Sequence, residues 1–369
     1  MEAAWLNPRE RCVPTDPVIS AVELGLVEAF YRARPKLKPT PLHRLRGIAE
    51  ELGLGEILLK DESNRFGLNA FKILGVLYTF HRIMESHASN ETPIVVCASA
   101  GNHGRAVAWA AREFGFAARV YLPVGTAPAR VDAIAGEGAD VVVTDVGYEG
   151  SIQRVVRDAK REGWLIISDT SWQGYDEVPR WIMAGYTWMM VEAQAQWSPS
   201  PGPDVVIVQG GVGGLVCAGA SWFAQRLGTS RPFFIAAEPT VAPCLLESAR
   251  SGRPTVVTEH DTMMACLKCA EISPIIWPVL ADAVDAVVTI DDERAAWAMR
   301  RLAHPSAGDP EIVAGASGAC GLGALQAIMR HDVFQSVRDR AGLGPQSSVL
   351  VVNTEGATDP TLYRSIIGD

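Results

Sequence analysis

The sequence has no long apolar run, no basic leader and no regular pairing of cysteines, and each absence removes a class of protein. No stretch approaches the roughly twenty apolar residues that a membrane span requires, so no membrane partner is expected. The opening Met1-Glu2-Ala3-Ala4-Trp5-Leu6-Asn7-Pro8-Arg9-Glu10-Arg11 lacks the basic-then-apolar order of a signal peptide, and a cytoplasmic location is expected. Seven cysteines, an odd number without regular spacing, fit a reduced compartment better than a disulfide scaffold. Cys266-Leu267-Lys268-Cys269 lacks a second pair to complete a zinc site, so no metal is assigned. Positive charge is also scarce. With 33 Lys and Arg against 42 Asp and Glu the net charge is −9, which argues against a nucleic-acid partner, because phosphate binding needs clustered cations.

What is present is a chain of 369 residues, 48% hydrophobic and 20% charged, long enough for two lobes and too apolar for disorder. Strand-like runs at 94–99, 118–123, 140–145, 164–169, 204–210, 233–239, 286–291 and 348–354 alternate with helical patterns. That alternation predicts an α/β protein with mostly parallel sheets covered by helices. No internal repeat is evident. Ser198-Pro199-Ser200-Pro201-Gly202-Pro203 is the best linker.

Four segments carry chemistry. In the first, Asn69-Ala70-Phe71-Lys72 opens a stretch in which Phe71, Leu74, Leu77, Tyr78, His81 and Met84 follow helical spacing, with Asn69 as the expected N-cap. Lys72 then lies in the first turn, where an ammonium opposes the helix dipole and a neutral, nucleophilic amine suited to a Schiff base is favoured. A solvated lysine covering an apolar neighbour has the same signature. The second segment, Gln209-Gly210-Gly211-Val212-Gly213-Gly214, closes the run Asp204–Val208 and precedes a helical pattern from Leu215 to Leu227. Strand, glycine loop and helix start make a phosphate cradle. A dinucleotide fingerprint fits less well, since the acidic residue expected about twenty positions on has only Glu238, which comes late. A tight turn without a ligand is the remaining alternative.

The third segment, Ser99-Ala100-Gly101-Asn102-His103-Gly104, follows Ile94–Cys97 and precedes a helix expected from Arg105 to Phe114. Its amides and the Ser99 hydroxyl suit a substrate carboxylate, Asn102 suits an oxygen on a cofactor ring, and His103 reads as a structural residue of the helix start. The fourth is Val351-Val352-Asn353-Thr354-Glu355-Gly356 near the C-terminus.

Taken in this order, the segments resemble the fold-type-II pyridoxal-phosphate enzymes, the threonine dehydratase and cysteine synthase group. Within it Lys60–Lys72, Asp169–Tyr175, Pro179–Tyr186 and Asn353–Gly356 are similar to diaminopropionate ammonia-lyases. The resemblance implies a tryptophan synthase β-like fold with two lobes. A small lobe of 76–190 would be inserted into a large pyridoxal-phosphate-binding lobe of 1–75 and 191–369, with the site between them, in a homodimer. It implies Lys72 as the cofactor's covalent anchor, Gly210, Gly211, Val212, Gly213 and Gly214 at its phosphate, Asn102 at its ring hydroxyl and Thr354 at its pyridine nitrogen. Substrate would meet Ser99, Ala100, Gly101 and Asn102. Asp169, placed at a strand's carboxyl end, would remove the α-proton of an L-amino acid. Some relatives carry a disulfide near the site, and Cys244 with Cys269 is the pair to test, although reduced thiols are expected. The implied reaction is β-elimination, with 2,3-diaminopropionate going to pyruvate and ammonia through an aminoacrylate. The alternative is β-substitution, or β-elimination of another β-substituted amino acid. One departure stands out: Ala100 lies where enzymes that also process the D-isomer carry an aspartate, which puts D-activity in doubt.

Overall fold

The computed structural model describes residues 1–10, 17–86, 93–198, 201–306 and 308–368. The described chain forms two compact units, Met1–Phe71 with Tyr186–Asp369, and Lys72–Gly185. The boundaries therefore fall at 71/72 and 185/186 rather than at 75/76 and 190/191, and the difference assigns Lys72 to the smaller unit. Of the expected linker, Pro199 and Ser200 lie outside the described residues.

The strands are β1 (Ala3–Leu6), β2 (Leu42–Arg44), β3 (Glu56–Asp61), β4 (Val95–Ala98), β5 (Ala118–Leu122), β6 (Asp140–Val143), β7 (Leu165–Ile166), β8 (Val205–Gln209), β9 (Phe233–Pro239), β10 (Ala286–Ile290) and β11 (Ser348–Asn353). The larger unit holds a seven-stranded sheet in the order β1-β10-β9-β8-β11-β3-β2, parallel except for its edge strands β1 and β2. Every residue of β8, β9, β10 and β11 is buried. Continuous Val and Ile runs are what a strand covered on both faces requires. The smaller unit holds a four-stranded parallel sheet, β6-β5-β4-β7. Each expected strand is present, although β7 is two residues long against the six expected.

The expected N-cap is corrected. The helix Lys72–Ser86 begins three residues after Asn69, whose backbone lies in the left-handed region at φ 59°. Asparagine tolerates that region better than other non-glycine residues. Asn69 O accepts from Gly356 N at 3.0 Å, Phe71 N donates to Thr354 O at 3.2 Å, and Ala70 bridges Glu355. The segment leading into Lys72 is thus laced to the one that carries Thr354.

The turn before it is held by charge. Arg65, fully buried, donates to Glu62 Oε2 at 2.7 Å and to Glu192 Oε1 at 2.8 Å. Buried Lys60 donates to Glu192 Oε2 at 2.8 Å and to Thr40 O at 2.7 Å. Two cations face two carboxylates with their hydrogen bonds filled, the condition under which buried charge is tolerated. Burial by itself would raise the Glu192 carboxyl, but Arg65 and Lys60 outweigh it and hold its pKa below the ordinary value. The stability that Glu192 contributes is therefore complete above the unfolded carboxylate pKa of about 4.3 and is lost as pH falls through the lower folded value. Arg65→Met, which strands two buried carboxylates, is expected to cost roughly 3–5 kcal/mol in denaturant unfolding. Glu192→Gln should flatten the acid limb of the stability profile, and an unchanged limb would assign it to other groups.

Candidate active site

In the smaller unit three ionisable side chains converge. Lys72, the first residue of its helix, places Nζ 2.5 Å from Asp169 Oδ2. His103 Nδ1 lies 3.9 Å from the same oxygen. The charge that Lys72 meets is thus a carboxylate as well as a helix N-terminus, a pairing that periodicity alone did not expose. Asp169 is not at a strand end as expected but three residues past β7. Its position is set by the loop behind it. Tyr175 Oη donates to Ile166 O at 2.7 Å and accepts from Ser168 N at 2.9 Å, and its ring stacks on Trp172 at 4.1 Å. Burial would push the Asp169 carboxyl up, but the Lys72 ammonium, the His103 ring and the hydrogen bond from Lys72 hold it well below the usual carboxylate range. The pair remains about one-fifth exposed, at 23% and 21%.

The Ser99–Asn102 loop joins β4 to a helix that starts at Asn102, three residues earlier than expected. Gly101 N donates to Ser99 Oγ at 3.3 Å, and a Cβ on Gly104 would collide with the Ser99 carbonyl, so glycine lets the loop fold back over the helix start. Ser99, Ala100, Gly101 and Asn102 are half-buried. His103 is buried, and its Nε2–H donates to Ile167 O at 2.8 Å. That bond leaves Nδ1 turned toward Asp169 with no hydrogen-bond partner among the described residues. His103 is therefore structural as expected, and in addition it presents a nitrogen to the Lys72–Asp169 pair.

The larger unit carries the glycine loop between β8 and the helix Gly214–Leu227. Gly210 N is taken by Ala237 O at 2.9 Å, whereas the amides of Gly211, Val212, Gly213 and Gly214 donate to no acceptor among the described residues. Free amides at a helix start are what an anionic phosphate binds. Side chains have no room there: a Cβ on Gly211 would lie 2.9 Å from Cys269 Sγ, and Gly213 has φ +91°. The rival dinucleotide site fails, because Glu238 is fully buried, pushed up to about 8 by burial, and accepts from the amides of Leu245 and Leu246. Thr354 follows β11 directly and is buried. Cys244 and Cys269 are free thiols, as are all six described cysteines. No cluster able to hold a metal occurs among the described residues.

A lysine next to an aspartate and an orphan-amide cradle are the donors that a phosphorylated aldehyde cofactor needs. Residues 33–355 match the family described as pyridoxal-phosphate dependent enzyme. The chain belongs to that family. It is 38% identical over 366 residues to the diaminopropionate ammonia-lyase of Salmonella typhimurium, covering 92% of this chain and 91% of the relative. The Escherichia coli diaminopropionate ammonia lyase in complex with an aminoacrylate-PLP azomethine reaction intermediate has TM-score 0.90 and 35% identity, covering 100% of this chain and 97% of that one. The same enzyme in complex with D-serine gives TM-score 0.90 at 34% identity, covering 100% and 97%. The architecture is that of fold-type-II pyridoxal-phosphate enzymes, and the cofactor is pyridoxal 5'-phosphate.

The residues described have the chemistry that group needs: in the larger unit the free amides of Gly211–Gly214 suit a phosphate, and in the smaller unit Lys72 offers an amine suited to an aldehyde. Gly213→Ala imposes positive φ on a side chain at a cost of roughly 1–3 kcal/mol. It should both lower the melting temperature and weaken binding of pyridoxal phosphate to the apoprotein. Unchanged affinity in a destabilised variant would separate the loop from the phosphate.

Proposed function

We propose that this protein is an L-amino-acid ammonia-lyase that eliminates the β-amino group of 2,3-diaminopropionate, giving pyruvate and two ammonia with the uptake of one water. The Lys72–Asp169 pair carries the reading: an amine that can anchor the cofactor, with a carboxylate at 2.5 Å. Bound pyridoxal phosphate supplies the electron sink that makes the substrate α-proton removable. Asn102 meets its ring hydroxyl, Thr354 its ring nitrogen, and the Ser99–Asn102 loop the substrate carboxylate. Asp169 is ionised at neutral pH, as a base must be. Burial favours the protonated carboxyl, and the Lys72 ammonium is the largest of the influences that hold its pKa down, so any movement of that ammonium away from Asp169 would raise its affinity for a proton. Asp169 is in this way able to take the α-proton and to return it to the departing amine, which must be protonated to leave.

The same reading places the protein in the cytoplasm, where free thiols such as its six described cysteines persist. No described helix is long and apolar enough to cross a membrane. We also propose a homodimer, which light scattering tests; a monomer at working concentration would refute it.

Borohydride reduction and peptide mapping should find the pyridoxyl group on Lys72, and a label on another lysine would end the assignment. Asp169→Asn is expected to reduce turnover of L-2,3-diaminopropionate by roughly 10² to 10⁴ while the bound cofactor's absorbance persists. With alanine at position 100 the D-isomer should react slowly, and Ala100→Asp should raise its rate. Equal wild-type rates on both enantiomers, or undiminished L-turnover in Asp169→Asn, would identify Asp169 as a turn residue. Release of a β-substituted product in place of pyruvate would move the enzyme to the synthases.

A further inference from the structure

Gln209, the last residue of β8, is buried, yet it faces the cradle's strand partners rather than another apolar layer. Its Nε2 lies 3.0 Å from each of Ser317 O, Gly318 O and Val352 O. Three carbonyls around one atom fix the side-chain amide: an oxygen there would be repelled, so the nitrogen must occupy the position. The Oε1 atom correspondingly has no hydrogen-bond partner among the described residues, and it abuts Gly321, where a Cβ would lie 3.1 Å away. The same Nε2 lies 3.0 Å from Thr354 Oγ1, so its two hydrogens are shared among four oxygens. Thr354 Oγ1 is therefore an acceptor toward the protein, and its own hydrogen has no acceptor among the described residues.

We infer that Gln209 is a positioning residue that sets the direction of the Thr354 hydroxyl, so that Thr354 donates to the cofactor's pyridine nitrogen and that nitrogen carries no proton of its own. The inference rests on the reading that Thr354 meets that nitrogen. A hydroxyl alone can donate or accept, and a threonine at this place does not decide which. The three backbone carbonyls decide it at one remove: they fix the amide so that Nε2, an atom that donates and cannot accept, lies 3.0 Å from Thr354 Oγ1, and the hydroxyl hydrogen must point elsewhere. Without the amide that constraint is gone, and the Thr354 hydroxyl can rotate away from the ring nitrogen.

The holoenzyme reconstituted with pyridoxal phosphate labelled with ¹⁵N in the ring tests this by NMR. Wild type should show the resonance of a neutral, hydrogen-bonded pyridine. Thr354→Val and Gln209→Met should each move it toward a free pyridine, with no further movement in the double variant. Each should also weaken cofactor binding by roughly 2- to 10-fold. A pyridinium resonance in wild type would overturn the inference even if Gln209→Met failed to fold. So would a folded Gln209→Met that shifts only the melting temperature while Thr354→Val moves the resonance; in both cases Thr354 keeps its place at the ring. A Thr354→Val resonance identical to wild type would instead refute that placement, and the inference with it.

Discussion

The pairing of Asn69–Phe71 with Thr354–Gly356 is the constraint on which the rest of the chemistry depends. It joins a segment near the start of the chain to one near its end through backbone bonds at 3.0 and 3.2 Å, and the next residue after Phe71 is Lys72. To enter that pairing the chain must turn sharply, and it does so through two non-glycine residues at positive φ, Phe66 at 53° and Asn69 at 59°. Such conformations cost energy and persist only where surrounding structure over-determines them. Here the surrounding structure is ionic: Arg65, beside Phe66, is locked between Glu62 and Glu192.

Two lysines twelve residues apart in the sequence illustrate how environment divides labour. Lys60 and its partner Glu192 are buried, with further bonds to Thr40 and Arg65, so neither charge can leave without exposing the other unpaired. Lys72 and Asp169 are each about one-fifth exposed, at 23% and 21%. The first pair is a strut. The second can exchange partners, because solvent and an incoming ligand reach it, and a site that must trade an ion pair for a covalent bond requires that freedom.

Much of the fold was legible because parallel strands announce themselves as apolar runs; all eight expected runs became strands, although β6 and β7 are only partly buried. The strands that escaped notice, β1, β2 and β3, have a different signature. β1 and β2 are antiparallel edges of four and three residues without full burial, too short for any alternation to register. β3 ends in Lys60 and Asp61, charges that mask a strand whose interior is buried. The glycine loop was legible from composition, Lys72 from helical spacing, and Thr354 only by resemblance. Asp169 was found for a partly wrong reason, since β7 stops three residues before it and Tyr175, not strand geometry, holds the loop. Asn69 was misjudged because capping and left-handed turns favour the same side chain, and only the helix start at Lys72 separates them. Gln209 went unremarked in function, although a polar residue ending an otherwise apolar strand was a signal that it had internal partners.

The two units hold different parts of the chemistry. Lys72, Asp169, His103 and the Ser99–Asn102 loop all belong to Lys72–Gly185, and on the proposed reading this unit would handle protons and substrate. The free amides of Gly211–Gly214, together with the Thr354 and Gln209 side chains, belong to the larger unit, and on the proposed reading these would serve the phosphate and the ring nitrogen. That reading would write cofactor affinity and ring electronics in one sheet, handedness and proton transfer in the other. A change such as alanine for aspartate at position 100 can then alter which enantiomer reacts without touching a residue that holds the phosphate. Conversely, on the proposed placement the direction of one hydroxyl at Thr354 would set how strongly the ring draws electrons whichever substrate is bound. A neutral ring nitrogen draws them weakly, which favours expelling a β-amino group over reprotonating the α-carbon, so the larger unit would in this way favour elimination whatever proton geometry the smaller one presents.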